Sequence, residues 1–376
     1  MIIILILNNN KLRIAFDYQI FCHQSYGGIS RYYVQLVEQM ILLMQEVKIF
    51  APFHQNKYLK ELDLKLVSGY ELPIYLPKTN HIMLMLNCIT SKYSINKWKP
   101  QLVHETNYSK ITSTPKYCPS IVTVYDMIHE LFPMNPHDHT SRLKREAVKR
   151  ATHIICISEN TKNDLIRLFG TDTSKISVVH LGCSAFICNS NNLSNIIINQ
   201  KPYILYVGRR TGYKNFNLFI EAFCSSTKLK RDFNILAFGG GEFTSHELKY
   251  FSILGLQTDQ VKQIGGDDLL LGNAYRQASA FINPSVYEGF GLSPLEAMSN
   301  NCPVISSNTS SMPEVIGDAA EYFDPNQIED IASAIKKVLY SPSRSNDLIN
   351  RGQKRIKNFT WRSCAESTLM VYKSVV

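Results

Sequence analysis

Short apolar runs alternate with stretches of helical periodicity along nearly the whole chain. Residues 14–16, 47–51, 103–105, 121–125, 154–157 and 176–180 read as strands. Between them, 30–44 carries Tyr33, Leu36, Val37, Met40 and Ile41 at helical spacing, and 143–151 is a short basic helix. Ser158 stands where an N-cap would open the helix after the strand at 154–157. A polar Asn/Ser-rich stretch at 189–195 then interrupts the alternation and reads as a linker. Beyond it the pattern restarts, with strands at 203–207, 233–238, 280–283 and 304–306 and helices at 216–224, 269–278, 292–300 and 328–339. Repeated βα units predict parallel sheets covered on both faces, and two such blocks predict two doubly wound α/β domains. Sheets of this kind bind ligands at the carboxyl ends of their strands, so the loops that follow strands are where chemistry is sought.

Composition supports this division. At 376 residues the chain exceeds the usual single domain, and its 45 % apolar content is enough for two cores. The formal charge of +9 is uneven: residues 1–200 hold 21 Lys and Arg against 14 Asp and Glu. A basic first half suits a phosphate-rich acceptor or an anionic membrane surface, and nucleic acid is not among the expected partners. The nine cysteines include no C-x-x-C pair and several sit in apolar runs, which fits small buried side chains in a reducing cytoplasm. The apolar run at 2–7 is far shorter than the roughly 20 residues of a membrane span and has no basic flank, so 1–11 reads as an extension before the first strand.

Four post-strand segments carry candidate chemistry. In Tyr287-Glu288-Gly289-Phe290-Gly291-Leu292-Ser293-Pro294-Leu295-Glu296, Gly289 and Gly291 permit close backbone approach to a ligand. The free N–H groups at the following helix start make a seat for phosphate. Glu288 in the loop and Glu296 about one turn into the helix can accept hydrogen bonds from sugar hydroxyls on either side of that phosphate. In Gly208-Arg209-Arg210-Thr211-Gly212-Tyr213-Lys214, arginine and lysine bracket a turn, an arrangement suited to stabilising a departing diphosphate. Gly27 and Gly28, after the first strand, can bring backbone N–H groups to a phosphate. Asp126 lies just past the strand at 121–125. Gly239-Gly240-Gly241 lacks the spacing of a dinucleotide fingerprint, and Asp267-Asp268 precedes an apolar run as a helix cap would. There is no Asp-x-Asp, and the histidines show no metal spacing, so no metal and no cofactor are expected.

These segments together resemble the family 4 retaining glycosyltransferases, from about residue 12 to about residue 372. The resemblance implies the GT-B architecture: two Rossmann-like doubly wound domains facing a central cleft. The expected division is an acceptor-side domain at 12–190, a nucleotide-sugar domain at 200–345, and a segment at 346–376 whose helix packs back on the first domain, with Trp361 as a packing anchor. It places Glu288 on the transferred sugar, Glu296 on the nucleotide ribose, and the backbone around Gly289, Phe290, Gly291 and Leu292 on the diphosphate. It makes Lys214 the diphosphate lysine and leaves its arginine partner at either Arg209 or Arg210. Gly27 and Gly28 correspond to the family's glycine loop. Asp126 is the polar group nearest the reacting carbon or the acceptor hydroxyl, since Tyr125 stands where the family usually has histidine.

The expected activity is metal-independent transfer of a hexose, of the mannose type or similar, from a GDP- or UDP-sugar to a glycan or lipid-linked acceptor. A front-face substitution that retains configuration needs no enzyme nucleophile, and no paired-carboxylate arrangement is evident. Two alternatives stay open at this stage: another enzyme on the same fold, such as a phosphorylase or sugar-nucleotide epimerase, and a non-catalytic subunit.

Overall fold

The computed structural model describes residues 11–72, 80–133, 138–183, 201–257 and 259–376. The proposed linker at 189–195 lies outside them. The first sheet contains β1 (Arg13–Phe16), β2 (Glu46–His54), β3 (Val67–Glu71), β4 (Leu102–Glu105), β5 (Ser120–Val124), β6 (His153–Cys156) and β7 (Ile176–Val178). Its order is β3-β2-β1-β4-β5-β6-β7, parallel throughout. The second contains β8 (Tyr203–Val207), β9 (Asn234–Phe238), β10 (Val261–Ile264), β11 (Ala280–Asn283), β12 (Val304–Ser307) and β13 (Ala320–Phe323), in the parallel order β10-β9-β8-β11-β12-β13. The fold is the α/β two-domain GT-B architecture. Each sheet reverses its winding once, between β1 and β4 and between β8 and β11, and crevices for ligands form at such points.

The central strands are buried on both faces and are therefore apolar almost throughout, as in Ile204-Leu205-Tyr206 and Phe281-Ile282. Three strands have no counterpart in the sequence reading: β3, β10 and β13. All three are sheet edges. Their sequences, VSGYE, VKQI and AEYF, mix polar with apolar positions; β3 and β10 are only partly covered, and in β13 the polar position is Glu321, paired with Lys337 and Arg344. The expected caps form as read: Ser158 accepts from Thr161 N, and Asp267 accepts from Leu270 N.

The helix Trp361–Val375 lies against the helix Gly28–Leu42 of the first sheet's layer. Trp361 packs 6.3 Å from the Tyr32 ring and against Gly182, where no β-carbon would fit. Tyr372 is fully buried, its hydroxyl 2.6 Å from Nδ1 of His104. Burial pushes the His104 imidazole down to about 3, so this buried junction holds a neutral ring.

Candidate functional site

The carboxyl edges of the two sheets face each other, and the loops leaving them form the site. After β8 the chain turns at Gly208, whose φ of 123° is open to glycine, and runs into the short turn Gly212–Lys214. Val286 N donates to Tyr213 O at 2.8 Å, tying this turn to the loop after β11. The tie sets Lys214 against Glu288: the ammonium donates to Oε1 at 2.7 Å, both side chains being largely covered. Burial alone would lower the Lys214 pKa, but the Glu288 carboxylate outweighs it and holds the ammonium above its ordinary value. Lys214 therefore stays charged while poorly solvated, a condition in which a cation interacts strongly with an incoming anion.

The two arginines part ways. Arg210 is buried, and each of its guanidinium nitrogens has a partner: Nε donates to Glu247 Oε1 at 2.7 Å, and the two terminal nitrogens donate to Gly239 O at 3.1 Å and Glu242 O at 3.0 Å. The plane also lies 4.6 Å from the Phe243 ring. Gly239, Gly240 and Gly241, all at positive φ, wrap this guanidinium, and a β-carbon on Gly240 would come within 2.7 Å of it. These contacts hold Arg210 inside its own domain, so of the two arginines expected at a diphosphate Arg209 is the one that faces solvent. Arg209 is exposed and enters no ion pair among the described residues.

The glycine segment divides similarly. Gly291, at φ 102°, precedes the helix Leu292–Ser299, leaving the N–H groups of its first turn at the cleft. Gly289 instead makes the domain seam. A β-carbon there would fall 1.9 Å from Tyr125 O, and its carbonyl accepts from Ser158 Oγ at 2.7 Å and Thr161 Oγ1 at 3.2 Å. Phe290 is buried, its ring between His180 and Phe359 at 5.7 and 5.8 Å. Close approach at Gly289 thus serves the facing domain and the Phe290 ring serves packing, while the backbone of both stays on the loop that leads into the helix Leu292–Ser299. Glu296 lies on the second turn of the helix, accepting from Tyr275 OH at 3.2 Å. Desolvation raises its carboxyl to about 7, with Arg31 from the facing domain opposing the rise.

From the first domain, Asp126 meets this group across the cleft, its β-carbon 3.0 Å from where one on Gly289 would stand. Its field contributes to holding the proton on Lys214. Asp126 also caps the turn after β5 through Ile128 N at 3.0 Å. Behind it the fully buried Lys144 ammonium donates to Asp126 O at 2.8 Å and Glu130 Oε2 at 2.7 Å. Tyr125 points away into the core, its ring 6.0 Å from Tyr32. Gly28 opens the helix Gly28–Leu42 and has free space where a side chain would be. Gly27 is crowded by Gln24, whose Oε1 would lie 2.3 Å from a β-carbon there and accepts from Ser30 N at 3.1 Å.

Two groups that the sequence reading passed over shape the site. Hydroxyls after β12 fasten the Glu288 loop: Ser310 Oγ accepts from Glu288 N at 2.9 Å, Ser311 Oγ donates to Glu288 O at 2.8 Å, and Thr309 Oγ1 donates to Val286 O at 2.8 Å. Ser310 holds φ 52°, strained for a side-chain-bearing residue, as is common where a site is over-determined. The available signal was a Ser/Thr run directly after a strand. Second, Glu314 reaches across the cleft to accept from Glu159 N at 2.8 Å, Asn160 N at 3.2 Å and His180 Nε2 at 2.7 Å. It completes the start of a first-domain helix, where the macrodipole favours an anion.

Two family models match the chain in succession: Glycosyltransferase Family 4 over residues 26–185 and Glycosyl transferases group 1 over residues 189–355. The chain belongs to the group 1, family 4 glycosyltransferases. This glycosyltransferase is 26 % identical over 375 residues to the O-antigen chain mannosyltransferase B of Escherichia coli, covering 92 % of this chain and 96 % of that one. Among solved structures it resembles sucrose-phosphate synthase from Thermosynechococcus elongatus, with TM-score 0.76, 19 % identity, and 97 % and 99 % of the two chains covered. It also resembles Anabaena HepE in complex with UDP-glucose, with TM-score 0.72, 14 % identity, and 96 % and 100 % covered. At these identities the solved structures speak for the fold.

Proposed function

We propose that this glycosyltransferase moves a mannose-type hexose from a nucleoside diphosphate sugar, GDP- or UDP-linked, to a glycan or lipid-linked acceptor, with retention of configuration and without a metal. The observation that carries the reading is the Lys214–Glu288 pair held opposite Asp126 at the mouth of both sheets. The diphosphate lies along the N–H groups that open the helix Leu292–Ser299, with Arg209 and Lys214 as its cations. Glu288 accepts from sugar hydroxyls and Glu296 from the ribose. Asp126 receives the acceptor hydroxyl on the face the diphosphate leaves. The relationship to O-antigen chain mannosyltransferase B supports mannose as the sugar and surface polysaccharide assembly as the setting.

Incubation with GDP-mannose and with UDP-glucose, in excess EDTA, tests this reading. Nucleotide release that requires an acceptor, with the product linkage retained by NMR, is the expected result. Activity restored only by Mn²⁺, an inverted product, or release that requires inorganic phosphate in place of an acceptor would each refute it.

A further inference from the structure

The helix Asn80–Trp98 is turned inside out. Asn87, Ser91 and Ile95 lie fully buried against the first sheet. Asn87 accepts from Phe53 N at 2.8 Å and donates to Phe53 O at 2.9 Å, while Ser91 donates to Phe50 O at 3.2 Å. These are the residues at which β2 slips register against β3, so the helix spends its polar side chains on backbone groups that the irregular strand leaves unpaired. On the opposite side stand Ile82, Met85, Leu86, Ile89 and Tyr93, exposed by between 39 and 69 %. Their spacing of three and four residues puts all five on one stripe. Single exposed apolar residues need no account, but five in register mark a contact surface.

Charge selects the partner. At 100° per residue, Lys92 and Lys97 fall on the two flanks of the stripe, and the helix contains no Asp or Glu. Residues 1–200 carry 21 Lys and Arg against 14 Asp and Glu. Two copies facing each other through this stripe would bring like charges together, which disfavours self-association. A bilayer bearing anionic headgroups takes both features: the apolar side chains enter the acyl boundary and the lysines reach back to the phosphates. No helix among the described residues is long and apolar enough to cross a membrane, so the contact is one of lying on the surface. We infer that the exposed face of the helix Asn80–Trp98 seats this protein on an anionic lipid surface. The inference stands apart from the transfer chemistry, since its assay needs no donor.

Co-sedimentation of the full chain with vesicles of phosphatidylcholine and phosphatidylglycerol, and with phosphatidylcholine alone, reads it directly. Binding is expected to the mixed vesicles and to weaken with NaCl. Met85→Ser/Ile89→Ser and Lys92→Glu/Lys97→Glu are each expected to lose about tenfold or more in partition, with the unfolding midpoint unchanged because these side chains already face solvent. Wild type that stays in the supernatant, or both double variants binding as wild type does, would overturn the inference. So would a wild-type dimer in analytical ultracentrifugation that Met85→Ser/Ile89→Ser converts to monomer, which would assign the stripe to a second copy.

Discussion

Replacing Lys214 by alanine separates a leaving-group cation from a structural one. In the resting site the ammonium is already paired with Glu288 at 2.7 Å, so the substitution does two things. It removes the charge that faces the departing diphosphate, and it strands a largely covered carboxylate. Unit charges about 4 Å apart attract by about 4 kcal/mol at an effective dielectric of about 20. Only the part that grows as charge develops on the diphosphate lowers the barrier. The expected loss is therefore on the order of 3 kcal/mol, about a hundredfold in kcat. The stranded Glu288 should cost stability by about 1–3 kcal/mol. The double variant Lys214→Ala/Glu288→Gln removes that second penalty, so it should recover most of the unfolding midpoint while leaving kcat at or below the single variant's value. The assay is single-turnover nucleotide release beside differential scanning fluorimetry. If Lys214→Ala keeps kcat within about threefold of wild type, less than about 1 kcal/mol of barrier, the ammonium belongs to Glu288 alone and the argument fails.

Other expectations follow from the same geometry. Arg209→Ala should lower kcat with the unfolding midpoint unchanged, whereas Arg210→Ala should destabilise by about 3 kcal/mol because it removes the buried guanidinium that Glu247 and the carbonyls of Gly239 and Glu242 share; equal midpoints for the two variants would contradict this. By calorimetry, Glu296→Ala should weaken the free nucleoside diphosphate as well as the donor, and Glu288→Ala the donor only; equal losses on the free nucleotide would mean that the donor lies differently. The Glu296 carboxyl, raised to about 7, holds its proton better folded than unfolded, so wild-type stability from this group is lost as pH rises from its ordinary value near 4.5 through 7. Glu296→Gln should accordingly raise the midpoint at pH 8 and not at pH 4, and no difference between the two pH values would refute the desolvated site. Ser311→Ala, which loses two hydrogen bonds to the Glu288 loop, should reduce kcat several-fold with little change in nucleotide affinity, as measured by the same release assay and calorimetry.

What could be read in advance was set by burial. Strands covered on both faces must be apolar, so the central strands of both sheets stood out, while β3 and β10 escaped because they are only partly covered and β13 because its short run is broken by Glu321, which is paired with Lys337 and Arg344. The helix Asn80–Trp98 escaped for the opposite reason: its polar residues face the sheet. In the site, loop positions after strands were legible because parallel topology fixes where loops converge. Glu288, Lys214 and Asp126 were found that way and are brought together. Sequence could not tell Arg209 from Arg210, since one residue's step along the chain decides whether a guanidinium enters the glycine turn or faces water. Nor could it show that Gly289 meets Tyr125 or that Glu314 caps a helix of the facing domain, because both contacts join segments more than a hundred residues apart.

The helix Trp361–Val375 bears on the order in which the protein is made. A chain leaving the ribosome usually folds its first domain while the second is still being synthesised. Here His104, in β4 of the first sheet, has Tyr372 at its Nδ1, and the helix Gly28–Leu42 packs its Tyr32 beside Trp361. Until residues 361–375 emerge, a nascent first domain presents an uncovered aromatic surface and an imidazole with one nitrogen unpartnered. Its final settling must wait for translation to pass through the whole of the second domain, and for that interval the growing chain is a natural client for a chaperone.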